Sequence, residues 1–171
     1  MTFSFFNRLD NWARNLSPFA LTLLMLIIGT TPLHLPYFVP LGTGLAMISV
    51  YYWAIHRPGL LPAPAVFAIG LIGDLMGAAP LGVGTLLLLL VYAIALSQRR
   101  LFFGQPFLVV WWGFMMIGAG AMSLGWILSS IVGGGALDPK PTIFAYLMTL
   151  ALYPALGDLF ARAQRSFLRS A

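Results

Sequence analysis

The sequence predicts an all-α, polytopic integral membrane protein with about six transmembrane helices. Of its 171 residues, 60% are hydrophobic and 8% are charged, whereas a soluble domain carries about 25% charged residues. Long apolar runs alternate with short breaks that are rich in proline and glycine, as expected for successive membrane helices and their turns. The chain has too few polar residues to cover a water-soluble globule, and we expect residues 1–171 to form a single membrane domain.

The apolar runs give the bounds of the predicted spans. A short amphipathic helix is expected over residues 1–16, and Ser17-Pro18 resembles a cap and first-turn proline that begin the first span. A cleaved signal peptide is the alternative for this segment, but no small-residue cleavage site follows it. Five spans remain an alternative if the third and fourth form a re-entrant pair. The six predicted spans cover roughly 17–31, 37–55, 60–79, 83–97, 106–132 and 142–161.

The positions of the basic residues predict the orientation. In a six-span arrangement every arginine falls on one side of the membrane and Lys140 falls on the other. Since basic residues are retained on the cytoplasmic side, both termini are expected to be cytoplasmic. The net charge of +5 comes from residues dispersed singly or in pairs. This pattern is typical of topology determination and of contact with anionic lipid headgroups, and no nucleic-acid partner is expected.

The search for catalytic residues is largely negative. Cysteine and glutamate are both absent from the chain, so there is no thiol nucleophile and no disulfide framework. His34 and His56 fall on opposite sides of the predicted membrane, which prevents them from sharing a metal ion or a catalytic triad. Ser123 lacks the Gly-x-Ser-x-Gly context of a nucleophile elbow. We therefore expect no catalytic site, no cofactor site and no metal site, and the chain is not expected to be an enzyme.

The most informative stretch is Gly70–Gly82, which places one carboxylate within an apolar segment. An ionised Asp in the middle of a membrane helix costs about 2.5–3.5 kcal/mol, so Asp74 is expected to have a role. It either caps a helix end near the outer interface or faces the interior and organises a helix contact or partner site. With no catalytic partner in view, packing and recognition are favoured. The motif positions are Gly70, Gly73, Asp74, Gly77, Pro80 and Gly82.

Two further patterns occur in the last two predicted spans. Small residues recur at every fourth position of the fifth span and form a candidate helix-contact groove. The groove serves either packing within the chain, which is the favoured interpretation, or contact with a partner's helix. Asp158 and Arg162 lie four residues apart in the orientation that favours a helical ion pair. Pro154 lacks an N–H, so it leaves the Leu150 carbonyl without its helical donor. The residues of the groove are Ala121, Gly125, Ser129 and Gly133.

The ordered combination of Gly70–Gly82, the Arg57-Pro58 pair that closes the preceding inner loop, and the Leu-rich span after the turn resembles the bacterial rod shape-determining protein family MreD. The resemblance covers the span layout of the whole chain and the motifs of about residues 53–100. Two departures from the family pattern are Gly73, where a larger apolar residue is expected, and the long segment Gly133–Pro141. The positions that carry the motif are Gly70, Asp74, Pro80 and Gly82.

The resemblance implies a non-enzymatic component of the cell-elongation machinery in the bacterial inner membrane. Such proteins work with an MreC-like partner that has one span and a large periplasmic part. They also work with MreB, RodA and a class B penicillin-binding protein. The family fold resembles the substrate-binding subunits of energy-coupling-factor transporters, and a substrate-binding subunit of a vitamin or metabolite transporter is therefore the alternative function. That alternative needs a pocket with converging polar groups.

Overall fold

The computed structural model describes residues 3–31, 41–77 and 80–168, with side chains from Ser17 onward, except residues 164 and 166–168. Within these ranges the chain is helical apart from turns and short connections, so the predicted all-α class is confirmed. A single turn of 3-10 helix lies at Pro58–Leu60. The α-helices are α1 (Phe3–Thr30), α2 (Gly42–His56), α3 (Ala63–Met76), α4 (Val83–Ser97), α5 (Arg99–Phe102), α6 (Phe107–Val132) and α7 (Lys140–Leu168).

The six long helices run alternately up and down and form one bundle with two distinct ends. The turn end contains the Pro80–Gly82 reversal and the connection from α6 to α7. The arginine end contains the connection from α2 to α3 and the short helix α5. Among the described side chains, every arginine belongs to the arginine end and Lys140 belongs to the turn end.

The helices differ in whether they are long enough to cross a bilayer. Among the described residues, Phe107–Val132 and Lys140–Ala163 are long and apolar enough to cross a membrane. Ser17–Thr30, Ala63–Met76 and Val83–Ser97 are shorter apolar helices. Helix α2 is also short, from Gly42 to His56.

The first helix departs from the sequence prediction. Pro18 was expected to begin a new helix, but it lies inside α1, which is continuous from Phe3 to Thr30. A proline within a helix removes one backbone donor without requiring the helix to end. In the following turn the Thr22 hydroxyl donates to the Pro18 carbonyl at 2.6 Å. The predicted turn at Pro32, Pro36 and Pro40 lies outside the described residues.

Helix α2 is the centre of the bundle. It is apolar on all sides and nearly all of its residues are buried, which is typical of a helix surrounded by others. Its neighbours are α1, α3, α4, α6 and α7. The Tyr51 ring packs against Phe114 of α6 and Tyr153 of α7, and its hydroxyl donates to the Val110 carbonyl at 3.0 Å. This aromatic cluster joins the central helix to α6 and α7.

Candidate functional site

The carboxylate of Asp74 is buried at the junction of α3 and α4, where its side chain is 5% exposed. Its Oδ2 accepts hydrogen bonds from the backbone N–H of Gly82 at 2.9 Å and of Thr85 at 3.0 Å. Its Oδ1 accepts one from the backbone N–H of Gly84 at 2.9 Å. The Thr85 hydroxyl donates a fourth hydrogen bond to Oδ2 at 2.7 Å. Asp74 therefore has a complete set of donors, all from the beginning of α4.

The N-terminus of α4 explains why a carboxylate is stable at this position. The first N–H groups of a helix have no partner within the helix, and the helix dipole places partial positive charge there. No side chain at the start of α4 itself caps these groups, and Gly82 precedes the helix in the left-handed conformation with φ of 93°. Asp74 supplies the missing cap from the preceding helix. The carboxylate thus fixes the reversal between α3 and α4.

Two glycines allow the helices to approach closely enough for these hydrogen bonds. A Cβ atom at Gly70 would lie 2.6 Å from the Cα atom of Thr85, which is backbone. A Cβ atom at Gly84 would overlap the Asp74 carboxylate oxygen Oδ1. Gly70 and Gly84 therefore set the spacing between α3 and α4. Neither side of this contact can carry even a methyl group without displacing the other.

The other motif positions lie around the same junction. A Cβ atom at Gly73 would lie 2.7 Å from the Leu26 side chain of α1, so the lack of a side chain at Gly73 allows α1 to pack closely against α3. Gly77 ends α3, and its N–H donates to the Gly73 carbonyl at 2.9 Å. Pro80 follows in the turn. The structure thus brings all six motif positions to the α3–α4 reversal, with Asp74 at its centre.

A cavity of about 520 Å³, here called the turn-end pocket, opens beside Asp74. Its wall is formed by residues from α1, α2, α3, α4, α6 and α7 together with the connection between α6 and α7. Among the described residues that line it, none is Lys or Arg, whereas Asp74 and Asp138 are both present. Its polar lining residues are Thr30, Thr43, Asp74, Ser129, Asp138 and Thr142.

The connection between α6 and α7 is held over this pocket by hydrogen bonds. The indole N–H of Trp126 donates to the Leu137 carbonyl at 3.0 Å, and the Ser130 hydroxyl accepts from the Leu137 N–H at 3.3 Å. The Asp138 side chain accepts from the Lys140 N–H at 3.0 Å. Leu137 and Asp138 line the pocket, so the connection forms one of its walls.

The small residues of the predicted groove on α6 differ in what surrounds them. Ala121 is buried, and a Cβ atom at Gly125 would lie 2.6 Å from the Leu87 side chain of α4. Gly125 and Ser129 line the turn-end pocket. Gly133 is exposed just beyond the end of α6. At Gly125 the contact is therefore made within the chain, to α4.

The remaining polar candidates lie apart from the pocket. Asp158 and Arg162 are both exposed on α7, and the described part of the chain has no ion pair between them. The ion pair between these two exposed side chains stays a prediction. His56 lies at the arginine end, where its ring stacks on Tyr52 with 4.2 Å between centroids. His34 lies outside the described residues, and among those described no group of His, Cys, Asp or Glu could hold a metal ion.

A comparison with protein families identifies the chain. The family model for the rod shape-determining protein MreD matches residues 11–162. The chain belongs to the MreD family. The matched range contains the Asp74 junction, α6 and all the residues that line the turn-end pocket. The MreD match also agrees with the apolar helices in indicating a membrane protein with a role in rod-shape determination. No curated protein and no solved structure gives a significant match.

Sequence reasoning missed the partners of Asp74 in this MreD-family chain. Gly84 and Thr85 lie in the segment Gly-Val-Gly-Thr that directly follows the turn. A threonine near the beginning of a helix was an available signal, because its backbone N–H and hydroxyl can both reach an acceptor there. The residues of α7 that complete the pocket, such as Thr142 and Ala145, gave no comparable signal.

Proposed function

We propose that this chain is a non-enzymatic scaffold of the bacterial cell-elongation machinery that binds an MreC-like partner through the turn-end pocket. The observation that carries the proposal is the meeting of the MreD-like motif and the pocket at one place. Asp74, Gly77 and Pro80 lie in the motif and also line the pocket. A rigid α3–α4 junction would then present a preformed surface, which reduces the cost of ordering on binding.

The proposed topology places this pocket on the outer side of the inner membrane. Six spans with both termini in the cytoplasm follow from the distribution of basic residues. This distribution puts the arginine end inside and the turn end outside. The membrane-proximal periplasmic part of a single-span partner would be within reach of a pocket at that end. The pocket therefore suits a partner whose larger part is periplasmic, as in MreC-like proteins.

The charge of the pocket limits the kind of segment that it can accept. Asp74 and Asp138 supply negative charge, and none of the described lining residues is Lys or Arg. Most of the remaining lining is apolar or hydroxylic, including Val83, Leu87 and Met122. An apolar partner segment with a basic side chain would complement such a site. Through this partner the chain would support peptidoglycan synthesis by the elongation complex with MreB, RodA and a class B penicillin-binding protein.

The test is co-purification of the MreC-like partner with Ser129→Phe, which fills the pocket from α6. The matched control is Ser123→Phe, which makes the same change at an exposed position of the same helix. We expect Ser129→Phe to lose the partner and the rod shape of complemented cells, and Ser123→Phe to retain both. Equal partner recovery from the two variants, with both proteins folded, would contradict the proposal.

A second candidate function is a substrate-binding subunit of a vitamin or metabolite transporter. The volume of the turn-end pocket favours it, since small-molecule pockets occupy about 300–1,000 Å³ and contain a few converging polar groups. The hydroxyls of Thr43 and Thr142 are the additional polar groups in this pocket. Thermal stabilisation of the purified protein by one compound of a vitamin panel would favour this candidate over the scaffold.

A further inference from the structure

A second cavity, of about 580 Å³, lies between α4 and α6, toward the arginine end of the bundle. We call it the arginine-end groove. It extends from Gln98 and Phe102 at the arginine end to the middle of the two helices at Leu90 and Leu124. Its lining is apolar apart from Gln98. Gly120 faces open space there, since a Cβ atom at this position would meet no atom within 4 Å.

The length of the groove matches one leaflet of a bilayer. From Leu90 to Gln98 the rise along α4 is about 12 Å, at about 1.5 Å per residue. Half of the hydrocarbon core of a bilayer is about 15 Å thick. With Gln98 at the edge of the hydrocarbon core, the groove would end near the middle of the membrane. A partner's transmembrane helix would need a surface across the whole bilayer, whereas an acyl chain of one leaflet needs no more than this length.

Two arginines lie next to the groove residues at the arginine end. Arg99 and Arg100 directly follow the groove residue Gln98. The Arg99 Nε–H donates to the Ile55 carbonyl at 3.0 Å, and its guanidinium carbon lies 5.6 Å from the centroid of the Phe103 ring. Arg100 is exposed. Within the described part of the chain neither arginine forms an ion pair, so their charges are available to an anion at the membrane surface.

We propose that the arginine-end groove binds an anionic phospholipid, with an acyl chain between α4 and α6 and the phosphate beside Arg99 and Arg100. Basic sites between membrane helices on the cytoplasmic side favour anionic headgroups. Arg100 is exposed and lies between the groove residues Gln98 and Phe102 in the sequence, so of the two arginines it is the one whose side chain is free to reach this phosphate. The proposal requires that the chain lies in a membrane, but it does not depend on the MreC-like partner.

Native mass spectrometry of the detergent-purified full-length chain tests the proposal. Phosphatidylglycerol and phosphatidylcholine with identical acyl chains are titrated, and glycerol 3-phosphate is added as a soluble competitor. We expect tighter binding of phosphatidylglycerol by at least about fivefold per arginine engaged, and no competition by glycerol 3-phosphate. Equal affinity for the two lipids would overturn the proposal, and effective competition would show a phosphate site without a lipid requirement.

Two pairs of variants separate the groove from a general surface attraction. Arg100→Gln should weaken phosphatidylglycerol binding about fivefold, whereas Arg162→Gln removes the same charge from α7 and should not. Gly120→Phe fills the groove and should reduce binding of both lipids, whereas the exposed Ser123→Phe should leave it unchanged. Equal losses within either pair contradict the groove. Release of an MreC-like partner by Gly120→Phe, with lipid binding intact, would assign the groove to a helix and overturn the proposal.

Discussion

The indole N–H of Trp111 in α6 donates a hydrogen bond to the Leu150 carbonyl of α7 at 3.4 Å. Leu150 is the residue whose helical donor is removed by Pro154, which lies inside α7. The carbonyl that the proline leaves unpaired is therefore satisfied by a side chain from the neighbouring helix. Pro154 therefore weakens α7 and at the same time leaves a free acceptor through which α6 is linked to α7.

Trp111→Phe should destabilise the protein by about 0.6 kcal/mol, the average for a hydrogen bond between membrane helices. Phenylalanine retains most of the apolar packing and removes the N–H donor. In a Pro154→Ala background the Leu150 carbonyl regains its helical donor, so the same substitution should cost less. Unfolding in mixed detergent micelles of the four variants measures this coupling, and a cost that is independent of residue 154 would contradict it.

Asp74→Ala should lower the free energy of unfolding by about 2–4 kcal/mol. It removes the cap of α4 and leaves buried backbone N–H groups without an acceptor. Asp74→Asn retains one acceptor oxygen and should cost about half as much on the same grounds. Asp138→Asn is the control, because this aspartate is exposed and accepts from the neighbouring Lys140 N–H; its effect should stay within about 0.5 kcal/mol. Equal effects of alanine at Asp74 and asparagine at Asp138 would contradict the capping role.

Glycine-to-alanine substitutions at three positions should rank by what the new methyl group meets. At Gly70 it meets the backbone of Thr85, which cannot rotate away, so Gly70→Ala should cost the most, about 3 kcal/mol. At Gly125 it meets the Leu87 side chain, which can change rotamer, so about 1 kcal/mol is expected. At Gly120 it meets nothing within 4 Å, and the gain in helix propensity should stabilise by up to about 1 kcal/mol. Thermal melts of the three variants check this order.

The Asp74 junction shows how far sequence reasoning extends. A carboxylate among apolar residues, followed closely by a Pro-Leu-Gly turn, is a local pattern, and it predicts a polar group that fixes a reversal. Its donors Gly84 and Thr85 come from the next helix, close enough in sequence to be reached by the same local argument. The contact between Gly73 and Leu26 depends on how α1 packs, which no local pattern determines.

The turn-end pocket and the course of α1 lie beyond such patterns for physical reasons. The pocket requires six helices at fixed spacings, and its wall includes Thr30 from the first helix and Thr142 from the last. Pro18 lies within a continuous helix because losing one backbone hydrogen bond costs less than ending a helix in an apolar solvent. Local residue preferences do not include the cost of exposing unpaired backbone groups to an apolar solvent, and this cost decides whether the helix continues through Pro18 or ends there.

Trp126→Phe should weaken binding of the proposed MreC-like partner while changing the stability of the isolated protein little. The Trp126 N–H donates to the Leu137 carbonyl at an exposed position, so its loss affects the pocket wall formed by Leu137 and Asp138 and leaves the buried bundle unchanged. We expect a shift in melting temperature close to zero, because surface changes usually stay within about 0.5 kcal/mol. Partner recovery should fall several-fold. Trp112→Phe is the matched control, since Trp112 is exposed on the same helix and does not line the pocket; partner recovery that is equal in the two variants would show that this wall takes no part in binding.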